Sequence, residues 1–364
     1  MKIAEIATFH TSASLALVRV RTDDGAEGWG QTSAYLADLA VEMLHTRLAR
    51  WFIGTDARDL EATETRLVRT EYKHWGTVLF RALCGIDTAI WDLLGRVSGV
   101  PVYRLLGGAV RTRLPVYGSS MVRHLSAGEE TERMLALRER HGFEAFKLRV
   151  GEPMGEDRES WPGRDRELIV RARADLGDGV DLLADANGGF TPGRAIAVGR
   201  LLEEQGYVHF EEPCPYDQYE QTAQVARVLD IPVAGGEQDY SLPQLRRIVT
   251  TGVVDIVQPD VGYIGGVSRM RQVAVMAEAA GIPFTAHCAN RSLLQIFSLH
   301  VAAAAPAATQ RQEWSIENVA WTDDLFSGLP EVRDGHVELS EGPGWGIEID
   351  RGFLRRARQR TSGG

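Results

Sequence analysis

The sequence predicts an α/β protein built as a (β/α)8-type, modified TIM barrel with an N-terminal α+β capping domain, and three observations carry that prediction. From residue 114 onward short apolar strands alternate with helical segments, with strands expected at 114–120, 145–150, 181–186, 208–212, 232–236, 255–259, 283–287 and 311–315. Three acids, Asp185, Glu211 and Glu237, recur every 26 residues, the length of one strand-helix unit, and each closes an apolar strand: DLLADAN, HFEEP and PVAGGE. Before residue 114 the pattern is different. The chain therefore divides into a capping domain, 1–113, completed by the tail 340–364, and a barrel, 114–339. A doubly wound open sheet is the alternative, but no GxGxxG follows the first strand.

The elements can be justified in order. SLALVRVRT and GAEGWGQT alternate apolar and polar residues about the turn signal DDG, which is a hairpin. The stretch 78–99, VLFRALCGIDTAIWDLLGRVSG, has the apolar stripe of a helix. In the barrel, Ser126 with Glu129 spells a capping box, and Thr191-Pro192 spells an N-cap followed by proline at the first helical position. The segment 151–164 is long for a strand-to-helix connection and is read as a lid or a subunit contact. Gly265-Gly266 opens a helix, either as a simple turn or as a cradle for an anion. The tail EGPGWGIEIDRGFL packs back on the cap or closes the bottom of the barrel.

Composition sets the outer bounds. A chain of 364 residues, 44% hydrophobic, can bury one large α/β core and a smaller domain. Three scattered cysteines, Cys84, Cys214 and Cys288, without CxxC spacing argue for a reducing compartment and against a zinc knot; Cys214 and Cys288 read as small buried residues near strand ends. A net charge of -10 without a basic stripe makes nucleic acid an unexpected partner, and no apolar run approaches the ~18 residues of a membrane span. The cytoplasm is the expected location.

In a barrel the chemistry sits at the C-terminal strand ends. The second strand offers Lys147 and Arg149, which period-two geometry places on one face. The third offers Asp185 and Asn187, the fourth Glu211, the fifth Glu237, the sixth Asp260, the seventh His287 and the eighth Glu313. Equal spacing selects Glu211 over its neighbour Glu212, and Glu317 is the alternative to Glu313. Three buried carboxylates repel unless a cation neutralises them, and an all-oxygen set suits Mg2+, with Mn2+ as the alternative. His287 beside Asp260 reads as a base with its orienting acid. The other histidines, His300 among them, need no function.

With these residues in place the chain resembles the enolase superfamily, mandelate racemase subgroup, over nearly its whole length. The resemblance rests on DAN at 185–187, EEP at 211–213, GGE at 235–237, QPD at 258–260 and His287. It implies that Asp185, Glu211 and Glu237 bind Mg2+, that Asp260 and His287 form the catalytic dyad, and that Glu313 is the acid beside the substrate carboxylate. It also implies a homo-oligomer, and it makes the cap loops His10 to Ser14, Gln31 to Tyr35 and Lys73 to Trp75 the candidates for contact with the distal end of the substrate.

One departure bears on the reaction. The resembled pattern on the second strand is commonly Lys-x-Lys, whose second lysine is a base; here that position is Arg149, which stays protonated. Racemisation wants a base on each face, whereas dehydration can run with His287 alone. The expectation is a dehydratase of a sugar acid, aldonate or aldarate, giving a 2-keto-3-deoxy acid, with Lys147, Arg149 and Asn187 contacting the substrate. A racemase, epimerase or lactone cycloisomerase on the same scaffold is the alternative, with Lys147 as its second base. Glu313 is expected to be protonated or to pair with a substrate oxygen.

Overall fold

The computed structural model describes residues 1–12 and 14–363. In the cap, β1 (Ile3–His10), β2 (Leu17–Thr22) and β3 (Glu27–Gln31) form an antiparallel meander, and the tail strand Arg358–Gly363 pairs along the free edge of β1. The hairpin read from DDG is the β2–β3 pair. Helix Thr77–Ser98, buried along most of its length, lies directly on this sheet. The approach is close because Gly28 and Gly30 in β3 have no side chain: a Cβ at either would run into the helix backbone at Ala89.

The barrel strands are β4 (Arg113–Ser119), β5 (Ala145–Arg149), β6 (Asp181–Asp185), β7 (His209–Glu211), β8 (Val233–Gly235), β9 (Ile256–Val257) and β10 (Gln312–Ser315). They run parallel as a curled sheet in the order β10-β4-β5-β6-β7-β8-β9. The short strand His336–Glu338, just before the tail, joins β4 antiparallel at its entry end, while the tail itself packs back on the cap through Trp345 and the strand Arg358–Gly363. β7 and β8 are shorter than the sequence pattern suggests. Their ladders stop where the backbone turns left-handed, at Glu212 (φ 39°) and Gly236 (φ 109°), just where side chains must be aimed into the barrel mouth.

The expected strand at 283–287 does not form a continuous ladder. It is reduced to isolated bridges, Val257 to Phe284 and Asp260 to His287. Pro283 brings no N–H, and on the other flank two side chains of β10 take the place of its main chain: Gln312 Oε1 accepts from Ala286 N (3.1 Å) and Glu313 Oε2 accepts from Cys288 N (2.7 Å). The barrel is thus closed along one seam by side chains.

Helix starts follow the sequence in part. Ser126 and Glu129 form the reciprocal capping box of helix Ala127–His141. Thr191 precedes helix Pro192–Glu204 with proline in its first turn, but its hydroxyl does not cap the helix; it donates instead to Asp157 Oδ2 (2.8 Å), in the segment after β5. That segment, 151–164, lies beside the exit of β6, where Met154 N donates to Asn187 O (3.0 Å) and Asp157 N to Gly189 O (2.9 Å). Gly266 does open helix Val267–Ala280, and an anion does sit there: it is the protein's own Asp87, which accepts from Val267 N and Ser268 N. A Cβ on Gly266 would collide with that carboxylate.

One continuous apolar core spans cap and barrel. Trp345 from the tail joins them: its N–H donates to Asp92 Oδ1 (2.9 Å), its indole N–H donates to Thr88 O (3.1 Å), and its ring lies 4.5 Å from Phe297 of helix Leu293–Ala304. Among the described residues no helix is long and apolar enough to cross a membrane.

Candidate active site

The register of the parallel sheet brings the chosen residues to one end. Arg149 is level with Asp185 and Asp185 with Glu211, so three neighbouring strands finish together. Lys147, one pleat below Arg149, is fully buried. Its ammonium lies 2.7 Å from both oxygens of Glu211, 2.8 Å from Glu313 Oε1 and 3.4 Å from Asp185 Oδ2. Burial acts to lower its pKa, but Glu211 and Glu313 outweigh that and hold it well above the usual lysine range. Lys147 is an ammonium here, not a free amine.

Arg149 is equally spoken for. Its Nε donates to Ser120 O (2.8 Å), its Nη1 pairs with Asp185 and donates to Asn187 Oδ1 (2.8 Å), and its Nη2 faces the thioether of Met121 (2.6 Å). Asn187 is held in the left-handed region (φ 42°), with its N–H donating to Asp185 Oδ1 (2.8 Å).

The histidine and its acid meet as expected. His287 Nδ1 stands 2.7 Å from Asp260 Oδ2, while Asp260 Oδ1 accepts from Gly262 N (2.7 Å) and Tyr263 N (3.0 Å). The carboxylate is therefore fixed by two backbone donors, and it fixes the ring in turn. The other ring nitrogen, Nε2, points inward, 3.3 Å from Glu237 Oε2 and 3.9 Å from Glu313 Oε2. Burial would lower the pKa of His287, yet Glu237, Glu313 and Asp260 raise it well above the ordinary value.

Glu313 differs from its expected state. Burial pushes it up, but Lys147 and His287 bring it down to about 2, so it stands as a carboxylate. It accepts from Ser119 Oγ (2.7 Å), Cys288 N and Lys147. The alternative, Glu317, is turned away and paired with Arg133 at 2.9 Å. Glu211, accepting also from Gln258 Nε2 (3.1 Å), is held well below the usual range despite burial, chiefly by Lys147. Its neighbour Glu212 is buried as well, and burial with Glu237 nearby raises it well above that range.

Among the described residues no group of three or more Asp, Glu, His or Cys side chains stands in a ready-made metal arrangement, because Asp185 and Glu211 turn toward Arg149 and Lys147. The donor set nevertheless fits a hard cation. Glu237 Oε2 and Glu212 Oε1 are buried without hydrogen-bond partners, and burial pushes Glu237 up to about 7, with Glu211 and Asp185 adding to the rise.

The sequence reading passed over three contributors. Ser119 ends β4, the one strand to which no polar role was given; Gln258 stands inside the QPD motif; Arg123, in the loop after β4, carries no pattern that separates it from a surface arginine. The cap loops divide. Gln31 is spent on docking, donating to Ser292 Oγ (2.9 Å) and accepting from Leu293 N (3.1 Å). Tyr35 stands edge-on to Trp321 at 6.2 Å, and Trp75 donates to Val68 O (2.7 Å) while half exposed. Ala13, in the His10 to Ser14 loop, lies outside the described residues.

A capped parallel barrel that ends in a histidine–aspartate dyad, facing inward to buried cations and carboxylates, is an arrangement able to take a proton from carbon and hold the resulting charge. Comparison with known proteins gives the family. Residues 129–353 match the enolase C-terminal domain-like model, and residues 2–107 match the N-terminal domain of mandelate racemase / muconate lactonizing enzyme. The chain belongs to the mandelate racemase / muconate lactonizing enzyme family of the enolase superfamily. It is 31% identical to a D-galactonate dehydratase of Xanthomonas axonopodis pv. citri, over 99% of this chain and 95% of that one. A crystal structure from Roseobacter denitrificans, described provisionally as a racemase, is 46% identical and covers all of both chains with a TM-score of 0.97. A mandelate racemase/muconate lactonizing protein of Paracoccus denitrificans, complexed with magnesium, is 32% identical with a TM-score of 0.90, covering 99% of this chain and 98% of that one. An enzyme of the lyase class, a hydro-lyase, fits the dehydratase relatives.

Proposed function

We propose that the protein is a Mg2+-dependent dehydratase of a sugar acid, aldonate or aldarate, with residues 114–339 as the catalytic domain under the cap. The observation that carries this reading is the asymmetry of the mouth: His287, oriented by Asp260, faces inward from the segment after β9, and β5 presents Lys147 and Arg149, both paired with carboxylates.

With Glu237 committed to a cation, the carboxylate that does most to hold a proton on His287 would be neutralised; Nε2, then unprotonated, removes the proton α to the substrate carboxylate, while Asp260 holds the ring and supports the imidazolium. The same imidazolium then returns the proton to the departing β-hydroxyl, which leaves as water. The enol that remains tautomerises to the 2-keto-3-deoxy acid. Lys147 supplies positive charge beside the substrate carboxylate as its negative charge grows, and Arg149 and Asn187 border the same space. Glu313, ionised, anchors Lys147. A Mg2+ held by Asp185, Glu211 and Glu237 would supply further positive charge to that carboxylate.

The racemase or epimerase reading draws on the Roseobacter denitrificans relative, and it needs a second base. Among the described residues Lys147 is the lysine at the site, and its pairing with two carboxylates works against that role. The deciding experiment incubates aldonic and aldaric acids with enzyme and Mg2+ and reads 2-keto-acid release with a carbonyl reagent. Release supports the dehydratase. Solvent deuterium incorporated at the α-carbon without keto-acid release would move the assignment to racemisation or epimerisation.

A further inference from the structure

Arg149 has each of its guanidinium nitrogens against the wall, on Ser120, Asp185, Asn187 and Met121. Beside it stands a second guanidinium in a different situation. Arg123 donates from Nε to Gly151 O (2.6 Å) and from Nη2 to Asn187 Oδ1 (2.7 Å), and its Nη1 has no partner among the described residues. Two cations thus share one neutral amide oxygen, where an arginine pair ordinarily finds a carboxylate. No acidic oxygen pairs with Arg123 among the described residues, and it is only partly buried, on the loop that rims the mouth above β4. Burial and the charge of Arg149 bring its pKa down to about 10, as expected of a guanidinium with no counter-ion in contact.

We infer that Arg123 is the arginine that contacts the substrate, donating from Nη1 to oxygens on the carbons beyond the reacting pair, while Arg149 is a positioning residue that holds Asp185 and Asn187. The inference rests on the acid-sugar reading. It moves the recognition of the distal chain from the cap loops, where Gln31 is already engaged, to the barrel rim.

The test compares a six-carbon aldonate with glycerate, a three-carbon acid that has no distal hydroxyls. Calorimetry with Mg2+ present gives binding to the wild type, Arg123→Gln and Arg123→Lys, and turnover or α-deuterium exchange gives kcat and KM. Thermal melting establishes that each variant is folded. The expected result for Arg123→Gln is a loss of about tenfold or more in hexonate affinity, appearing in KM rather than kcat, with glycerate unchanged and partial rescue by lysine. Equal losses for both acids, or a fall in kcat alone, would assign Arg123 to support of Arg149 and overturn the inference. Unchanged hexonate binding would overturn it as well. Because binding is read separately from chemistry, a wild type that binds hexonate tightly through Arg123 but neither releases keto acid nor exchanges deuterium would refute the acid-sugar dehydratase and racemase readings while leaving the Arg123 contact standing.

Discussion

At the residue scale the site is a set of charges that hold one another in place. His287 depends on Asp260 for its orientation, so the two should fail together: His287→Asn is expected to abolish α-proton exchange, a loss of about a thousandfold or more, and Asp260→Asn to cost about a hundredfold. Deuterium exchange followed by NMR checks both, and retention of exchange in His287→Asn would remove this histidine from the mechanism. Lys147 makes a different prediction. Replacing it with Met leaves Glu211 and Glu313 buried without their main counter-charge, so the variant should lose about 3 kcal/mol or more of stability in addition to activity, measurable by urea unfolding. Which residues would converge was legible because period-two and 26-residue spacings are geometric facts of strands and strand-helix units. The ionised state of Glu313 was not, since it follows from Lys147, Ser119 and the Cys288 amide meeting at one carboxylate from three separate stretches of chain.

At the scale of elements, local signals were readable where the partner is local. The capping box at Ser126 involves a residue three positions on, and it forms; Ser126→Ala should lower stability by about 1 kcal/mol without touching kcat. Thr191 carries the same kind of signal and does otherwise, because Asp157 arrives from the long segment after β5 and takes its hydroxyl. The segment at 283–287 shows the limit most clearly. Its apolar pattern spells a strand, but a ladder needs a neighbour's main chain, and Gln312 and Glu313 present side chains in its place. Gly266→Ala offers an element-scale check: the added methyl meets Asp87 at a left-handed backbone (φ 115°), and a loss of at least about 2 kcal/mol in thermal or urea unfolding is expected.

At the scale of the whole molecule, cap and barrel share one apolar core, and the tail crosses both. Trp345 reaches the cap helix and Phe297 at once, and His300 lies against the same indole at 5.0 Å, its Nδ1 accepting from Tyr103 N (3.2 Å). Burial lowers the pKa of His300 from 6.5 to about 3. The folded protein therefore keeps this ring neutral while the unfolded chain protonates it. Its contribution is intact above pH 6.5 and is lost as pH falls from there toward 3, at about 1.4 kcal/mol per pH unit. A melting series from pH 7 to 4 should show wild-type Tm falling more steeply than that of His300→Gln; parallel curves would refute the assignment. The sequence marked this histidine as needing no function, and it could not show that His300 and Trp345 share one interface with Tyr103, which lies 197 residues before His300.

The side-chain seam of the barrel carries its own consequence. A carboxylate that closes the wall at Cys288 is also the one that holds Lys147 and faces His287, so structural closure and chemical poise draw on the same two oxygens. Whatever draws charge away from Glu313 during turnover weakens the fastening of the loop that carries the base. The expected outcome is that the exchange rate of a single backbone amide, that of Cys288, rises when a substrate acid binds, and hydrogen exchange with and without that acid measures it.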